Sequence, residues 1–137
     1  MMPLPERFAA AAEALIGTRY RLHGRNAKTG VDCVGLVSVA LERAGRRWSE
    51  LPAYGLRNFR KERFIPFAHE NGFATESGPV MRGDLLLTQM QPTQLHLLIA
   101  VEGTGFIHAH AGMRRVVRQL NMPTFSIAAH WRLPSSE

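Results

Sequence analysis

Hydrophobic positions recur every three to four residues in the first half of the chain and every second residue in much of the second half. From Pro5 to Ile16, Phe8, Ala11, Ala12 and Leu15 fall on one face and Gly17 follows as a stop, which predicts an amphipathic helix. From Cys33 onward, Val34, Val37 and Leu41 repeat at helical spacing with Leu36 and Ala40 beside them. Asp32 is a good N-cap for that run and Gly45 a natural residue just past its end, so a largely buried helix begins at Cys33. Leu56 to Asn71 predicts a further helix, broken or kinked near Pro66. Thr18 to Val31, rich in Gly, Asn, Arg and Lys, reads as a loop, and residues 46–55 as an irregular connection.

The runs Asp84–Gln89, Leu95–Val101, Gly105–His110, Arg115–Leu120 and Ser126–Leu133 are short, apolar or alternating, and separated by Gly, Pro, Asn and Thr. Helices followed by a run of antiparallel strands give an α+β fold, with the helices on one face of a small antiparallel sheet and the Cys33 helix central. Leu95–Val101 and Gly105–His110 read as a hairpin with its turn around Glu102–Gly105. Side chains alternate along a strand, so His108 and His110 share a face. A turn with an odd number of residues, such as Glu102 to Thr104, brings His96 to that face; a two-residue turn sends it to the other.

At 137 residues the chain is long enough for one domain, 1–137, with a core that needs no disulfide. Its single cysteine excludes an internal bridge and a cysteine-rich zinc site. The formal charge of +6 fits a nucleic-acid binder, attraction to an anionic polymer such as cell wall, or an arginine-rich solvated surface. The arginines are scattered with little aromatic interleaving, so a specific nucleic-acid partner is not expected. The N-terminal residues lack a basic region and carry Glu6, Arg7 and Glu13 among their apolar positions, unlike a signal peptide. No apolar run has the length of a membrane span. The expectation is synthesis in the cytoplasm without a signal peptide and no membrane insertion.

A lone cysteine on an apolar helix is more often a small buried hydrophobe than a nucleophile. Cys33, however, lies in the first helical turn, where unpaired N–H groups and the helix dipole favour a thiolate. His96 on the strand face can act as its general base, with a second histidine orienting the ring. The bland alternative leaves these histidines at sheet ends or in solvent. A metal site of His96, His108 and His110 is a third possibility, although no carboxylate falls on that face and no HExxH spacing occurs. Asp84 reads as a turn residue leading into a strand, His23 and His69 as surface residues, and His130 as part of the last strand with Trp131 on the opposite face.

Five segments together resemble the NlpC-type cell-wall cysteine peptidases: GTRY at 17–20, VDCVGL at 31–36, RGDLL at 82–86, HLLIAV at 96–101 and FIHA at 106–109. The resemblance implies a papain-like core in which the central helix carries a nucleophilic Cys33, with His96 as base and His108 as the orienting residue. It implies an oxyanion site at the Cys33 backbone N–H, and no cofactor or metal. Tyr20 and Asp32 match positions that line the substrate site, where Asp32 would meet a free amino terminus of the peptide stem. Leu98 stands where a small residue is usual, on the face of His96, where it would narrow or reshape the cleft; His110 would line the cleft or the sheet end. Val34 stands where Ser is common, and His23–Gly24 where a Gly pair is common. The implied reaction is hydrolysis of the γ-D-glutamyl to diamino-acid bond of peptidoglycan stem peptides through an acyl-enzyme. The GRNAKTGVDCVGL wording looks most like the phage-tail and gene-transfer-agent branch, which implies tail proteins as partners and action in the cell wall or periplasm as part of a phage-like particle. A related amidase or acyltransferase, and a structural tail component without turnover, are the rival readings.

Overall fold

The structure is a computed structural model and describes residues 2–51, 61–91, 94–102, 105–120 and 126–135. Helix α1 spans Leu4–Ala14 and helix α2 Cys33–Arg43, with the two-residue strands β1 (Arg25–Asn26) and β2 (Gly30–Val31) between them. A 3-10 turn, Lys61–Arg63, leads into helix α3 (Phe64–Glu70). There follow β3 (Ala74–Thr75), β4 (Leu85–Gln91), β5 (Gln94–Ala100), β6 (Phe106–His110), β7 (Arg115–Gln119) and β8 (Ser126–Arg132). The long strands form a six-stranded antiparallel sheet in the order β3-β8-β4-β5-β6-β7. Among the described residues no helix is long and apolar enough to cross a membrane.

Helix α2 forms where the spacing of apolar positions places it. Asp32 caps it by accepting the Gly35 N–H at 2.8 Å, and Gly45, at φ +94°, follows its C-cap. Every residue from Val34 to Leu41 is buried. Each large apolar side chain there contributes roughly 1.5–3 kcal/mol relative to exposure. The helix lies against α1 and against β5 and β6. The strand residues on that side of the sheet, Leu85, Leu87, Leu95, Leu97, Ile99, Ile107, Ala109 and Trp131, belong to the main core. The opposite face of the sheet holds a small cluster of Leu86, Leu98 and Phe106.

Two glycines of the motif segments are demanded by packing. A Cβ at Gly35 would overlap the Gly24 carbonyl, because the segment before β1 crosses the first turn of α2 in direct contact. Gly83, at φ +93°, faces the Pro5 carbonyl, and the adjacent Arg82 bonds to Glu6 and Glu13 of α1 at 2.7 and 2.6 Å. Asp84 is fully buried in the turn before β4. It accepts bonds from the Met81 N–H at 2.9 Å, His130 Nε2 at 2.6 Å and Arg132 Nε at 2.7 Å, tying β4 to β8. Burial alone would raise the Asp84 carboxyl, but Arg132 and His130 outweigh it and hold it below the usual carboxylate range.

The structure alters three expectations. The stretch Thr18–Val31 is more than a loop: β1 pairs with β2, and Tyr20 bridges to Val31. The helix expected over Leu56–Asn71 starts at Phe64 after a 3-10 turn, and the part before Lys61 lies outside the described residues. Pro66 stands in the first turn of α3, where an N–H has no helical acceptor to lose, and so it does not divide the helix. Asp84 is a turn residue as expected, but it is also the centre of an ion cluster with His130 and Arg132. The expected placement of Trp131 holds, with its ring buried on the helix side of the sheet.

Gly35→Ala should lower unfolding free energy by about 1–3 kcal/mol, since backbone rather than a mobile side chain must yield. A urea midpoint equal to wild type would contradict that contact.

Candidate active site

Strands β5 and β6 pair at Ile99↔Ile107 and Ala100↔Phe106 and then part. The Val101 N–H donates to the Gly105 carbonyl at 2.9 Å, and alternation along the ladder turns the Leu97 N–H toward the β6 side. Beyond the parting that N–H meets the Cys33 sulfur instead of a strand partner, and the Val34 N–H supports the sulfur from α2. The cysteine is therefore seated where the helix start meets the gap between two strands, with partial access to solvent. The Cys33 N–H itself finds no acceptor among the described residues.

The same register puts His96, Leu98, His108 and His110 on one face of the sheet, the outcome that required an odd-numbered turn. Residues 103 and 104 of that turn lie outside the described residues. The His96 and His108 rings stand nearly perpendicular, at 88°, with centroids 6.4 Å apart. His108 is 1% exposed, and its Nε2 donates to Gln119 Oε1 at 3.1 Å. Its Nδ1 is buried and has no partner among the described residues. His110 extends the row, 5.4 Å from His108 ring to ring, but its Nδ1 accepts the Met113 N–H at 3.1 Å and so closes the turn after β6. No hydrogen bond joins Cys33 to His96 among the described residues, and such contacts often tighten only with substrate bound. Nor do three or more His, Cys, Asp or Glu there form a group suited to a metal ion.

Electrostatics give the resting protonation states. Burial, then the charge of Asp32, pushes the Cys33 thiol up to about 12, against the weaker pull of the Leu97 and Val34 N–H groups and Arg25. Desolvation and a neighbouring carboxylate thus act against the thiolate expected from the helix N-terminus. Burial and His110 lower His96 below its ordinary value. Burial and the other two histidines bring His108 down to about 4. Both rings are neutral at neutral pH. Tyr20 lies beside this group, its phenol raised by burial and by Cys33 and Asp32.

A thiol at a helix start, a neutral imidazole on β5 and a second imidazole beside it on β6 can pass a proton and present a sulfur nucleophile. The model of the NlpC/P60 family matches residues 17–131. The chain belongs to the NlpC/P60 family. Its fold is similar to the NlpC/p60 domain of the peptidoglycan hydrolase SagA, with a TM-score of 0.65 and 22% identity over 94% of this chain and 98% of that one. It is also similar to NlpC2 from Trichomonas vaginalis, with a TM-score of 0.69 and 19% identity over 95% of this chain and 47% of that one. For peptidoglycan hydrolase RipB from Mycobacterium tuberculosis the TM-score is 0.63 at 17% identity, covering 96% of this chain and 65% of that one. The chain spans about half the length of the Trichomonas proteins NlpC1 and NlpC2, 45% and 47%. No curated protein sequence matches it.

Within this NlpC/P60 fold, two expected substrate contacts are placed otherwise. Leu98 shares the face of His96 but is fully buried with Leu86 and Phe106, so it lines no cleft wall. Asp32 is 1% exposed, and its oxygens take the Gly35 N–H at 2.8 Å, the His23 N–H at 2.8 Å and Arg25 Nη1 at 2.9 Å. Sequence reasoning missed Gln119 and Arg25. Alternation places Gln119 on the odd-numbered positions of β7, but nothing local marks it as the partner of a histidine on β6.

Alkylation of Cys33 by iodoacetamide should climb about tenfold per pH unit from pH 7 to 10 without levelling, as for a thiol titrating far above the ordinary cysteine range. A plateau reached below pH 8 would show a resting thiolate instead.

Proposed function

We propose that this chain is a cysteine peptidase that hydrolyses peptidoglycan stem peptides through an acyl-enzyme, with Cys33 as nucleophile, His96 as general base and His108 as the residue that orients His96. The observation that carries the reading is the convergence at the β5–β6 parting: the Cys33 thiol lies against the Leu97 N–H, next in chain to His96, whose ring stands across that of buried His108. The structural likeness to SagA and RipB, both described as peptidoglycan hydrolases, supports the substrate class.

The reaction starts from two neutral groups. His96 takes the thiol proton as sulfur bonds to the scissile carbonyl carbon, and the resulting oxyanion meets the Cys33 N–H at the helix start. Collapse breaks the C–N bond, and His96-H⁺ protonates the leaving amine. Water then attacks the thioester, giving its proton to His96, and the thiol returns. His96 needs an acceptor for its far N–H throughout. In this reading Gln119 takes the Nε2 proton of His108, which leaves the His108 Nδ1 lone pair for that task. The low His108 pKa keeps that lone pair free. The bond cleaved is the γ-D-glutamyl to diamino-acid linkage, which the five-motif resemblance supports, and delivery is by a phage-like tail, which the wording of residues 24–36 supports.

Cys33→Ala should stay folded and lose hydrolysis of defined stem peptides followed by mass spectrometry; equal turnover by the variant would remove the cysteine mechanism. His108→Ala should lower kcat more than tenfold, and His110→Ala only a few-fold, at saturating substrate. The reverse order would transfer the orienting role to His110. Gln119→Leu should lower kcat about tenfold with KM little changed, while Gln119→Glu, which keeps the acceptor oxygen, restores most of it. Equal losses in both variants would make Gln119 a packing residue. The acid limb of kcat/KM should fall below the ordinary histidine value of about 6.5, because His96 must be neutral and its folded pKa is depressed.

A further inference from the structure

Residues 17–20 run along the start of β7. The Tyr20 N–H donates to the Arg114 carbonyl at 2.9 Å and the Val116 N–H to the Thr18 carbonyl at 2.8 Å. Those two bonds flank Arg19 and Arg115, which face each other in an isolated antiparallel bridge. The pair is therefore of the closely spaced kind that exchanges no hydrogen bond, with Cα atoms about 4.5 Å apart. Arg115 is in turn the partner of His110 on β6. Residues directly opposite each other across antiparallel strands share a face, so Arg19 and Arg115 stand in one row with His110, on the face that carries His108 and His96. Both arginines are exposed, and so are Arg21 and Arg114, which flank them in the chain.

Like charges directly opposite each other are destabilising. Arg25, Arg82, Arg118 and Arg132 each meet a carboxylate, whereas among the described residues Arg19, Arg21, Arg114 and Arg115 form no ion pair. Two guanidinium forks side by side offer paired N–H donors to an anion with two oxygens. Every aromatic side chain among the described residues is buried or half-buried, so the row has no exposed platform on which nucleic-acid bases would stack. We propose that Arg19 and Arg115 form a docking surface for the carboxylates of the peptidoglycan polymer, one and two strands beyond β6 on the histidine face. The inference rests on the peptidoglycan reading of the Cys33 site, in which each γ-linked glutamyl residue keeps its α-carboxylate outside the chain. Carboxylates recur from stem to stem along the wall, so exposed contacts that are weak singly accumulate on the polymer.

The test uses Cys33→Ala, so that the wall is not digested, and measures its co-sedimentation with purified peptidoglycan sacculi across a salt series. The protein should bind native sacculi and leave them as salt rises through about 0.1–0.5 M, where exposed charges are screened. Sacculi whose carboxylates have been converted to amides with carbodiimide and ammonia should bind it about tenfold less, and adding Arg19→Gln with Arg115→Gln should weaken binding to native sacculi by about the same factor. Arg47→Gln, which removes an exposed charge beyond the far end of α2, should bind as Cys33→Ala does. The double variant should keep or raise the thermal midpoint, since like charges no longer face each other. If it does not fold, Arg19→Gln alone takes its place. Undiminished binding by the arginine variant, indifference to amidation, an equal loss in Arg47→Gln, or tighter binding of duplex DNA or poly(glycerol phosphate) than of native sacculi overturns the inference. Arginine-dependent binding of native sacculi by a wild type that cleaves no stem peptide would keep the docking surface and overturn the hydrolase reading instead.

Discussion

The buried carboxylate of Asp32 is the constraint on which the cysteine end of the molecule depends. It caps α2 through the Gly35 N–H, fixes the preceding segment through the His23 N–H and draws Arg25 of β1 across the helix start. Gly35 has to be glycine because the Gly24 carbonyl is pressed against that first turn. An unpaired carboxylate there would be strongly destabilising, so Arg25 is part of the cap.

Asp32 also has an electrostatic cost at Cys33. A helix start favours a thiolate, but burial and the adjacent carboxylate act the other way and win. Both act against a resting thiolate. In the proposed mechanism the base accepts the proton during attack, which puts the weight on the aim and tautomer of His96. The buried row of His108 and Gln119 behind it answers that requirement, since a neutral ring held at one nitrogen offers its other nitrogen as acceptor.

The sheet divides these tasks between its faces. One face buries Leu97, Ile99, Ile107 and Ala109 against the helices, and the other displays His96, His108 and His110. Where β5 and β6 part, the helix on the first face brings the Cys33 sulfur to the Leu97 N–H, next in chain to His96. At the far side of β4, the Asp84 cluster with His130 and Arg132 ties the sheet together without entering this site.

Local periodicity by itself determined the Cys33 helix with its Asp32 cap, the succession of short strands, and the shared face of His108 and His110. These follow from the spacing of residues within one element, where the backbone geometry is fixed. Five motif segments in order pointed to the family. Register and long-range contact were decided only in the tertiary structure. His96 joins the other histidines because of how β5 pairs with β6, which the strand sequences alone left open between two parities. Leu98 lies buried rather than in a cleft because Leu86 and Phe106 cover it from neighbouring strands. The thiol is raised rather than lowered because burial depends on everything packed around it, whereas the helix end is a local feature. Arg25 meets Asp32 across a strand pair that reads as loop in the sequence, and Gln119 meets His108 from another strand. Neither contact has a local signature, because each side chain is defined by a partner that the fold supplies.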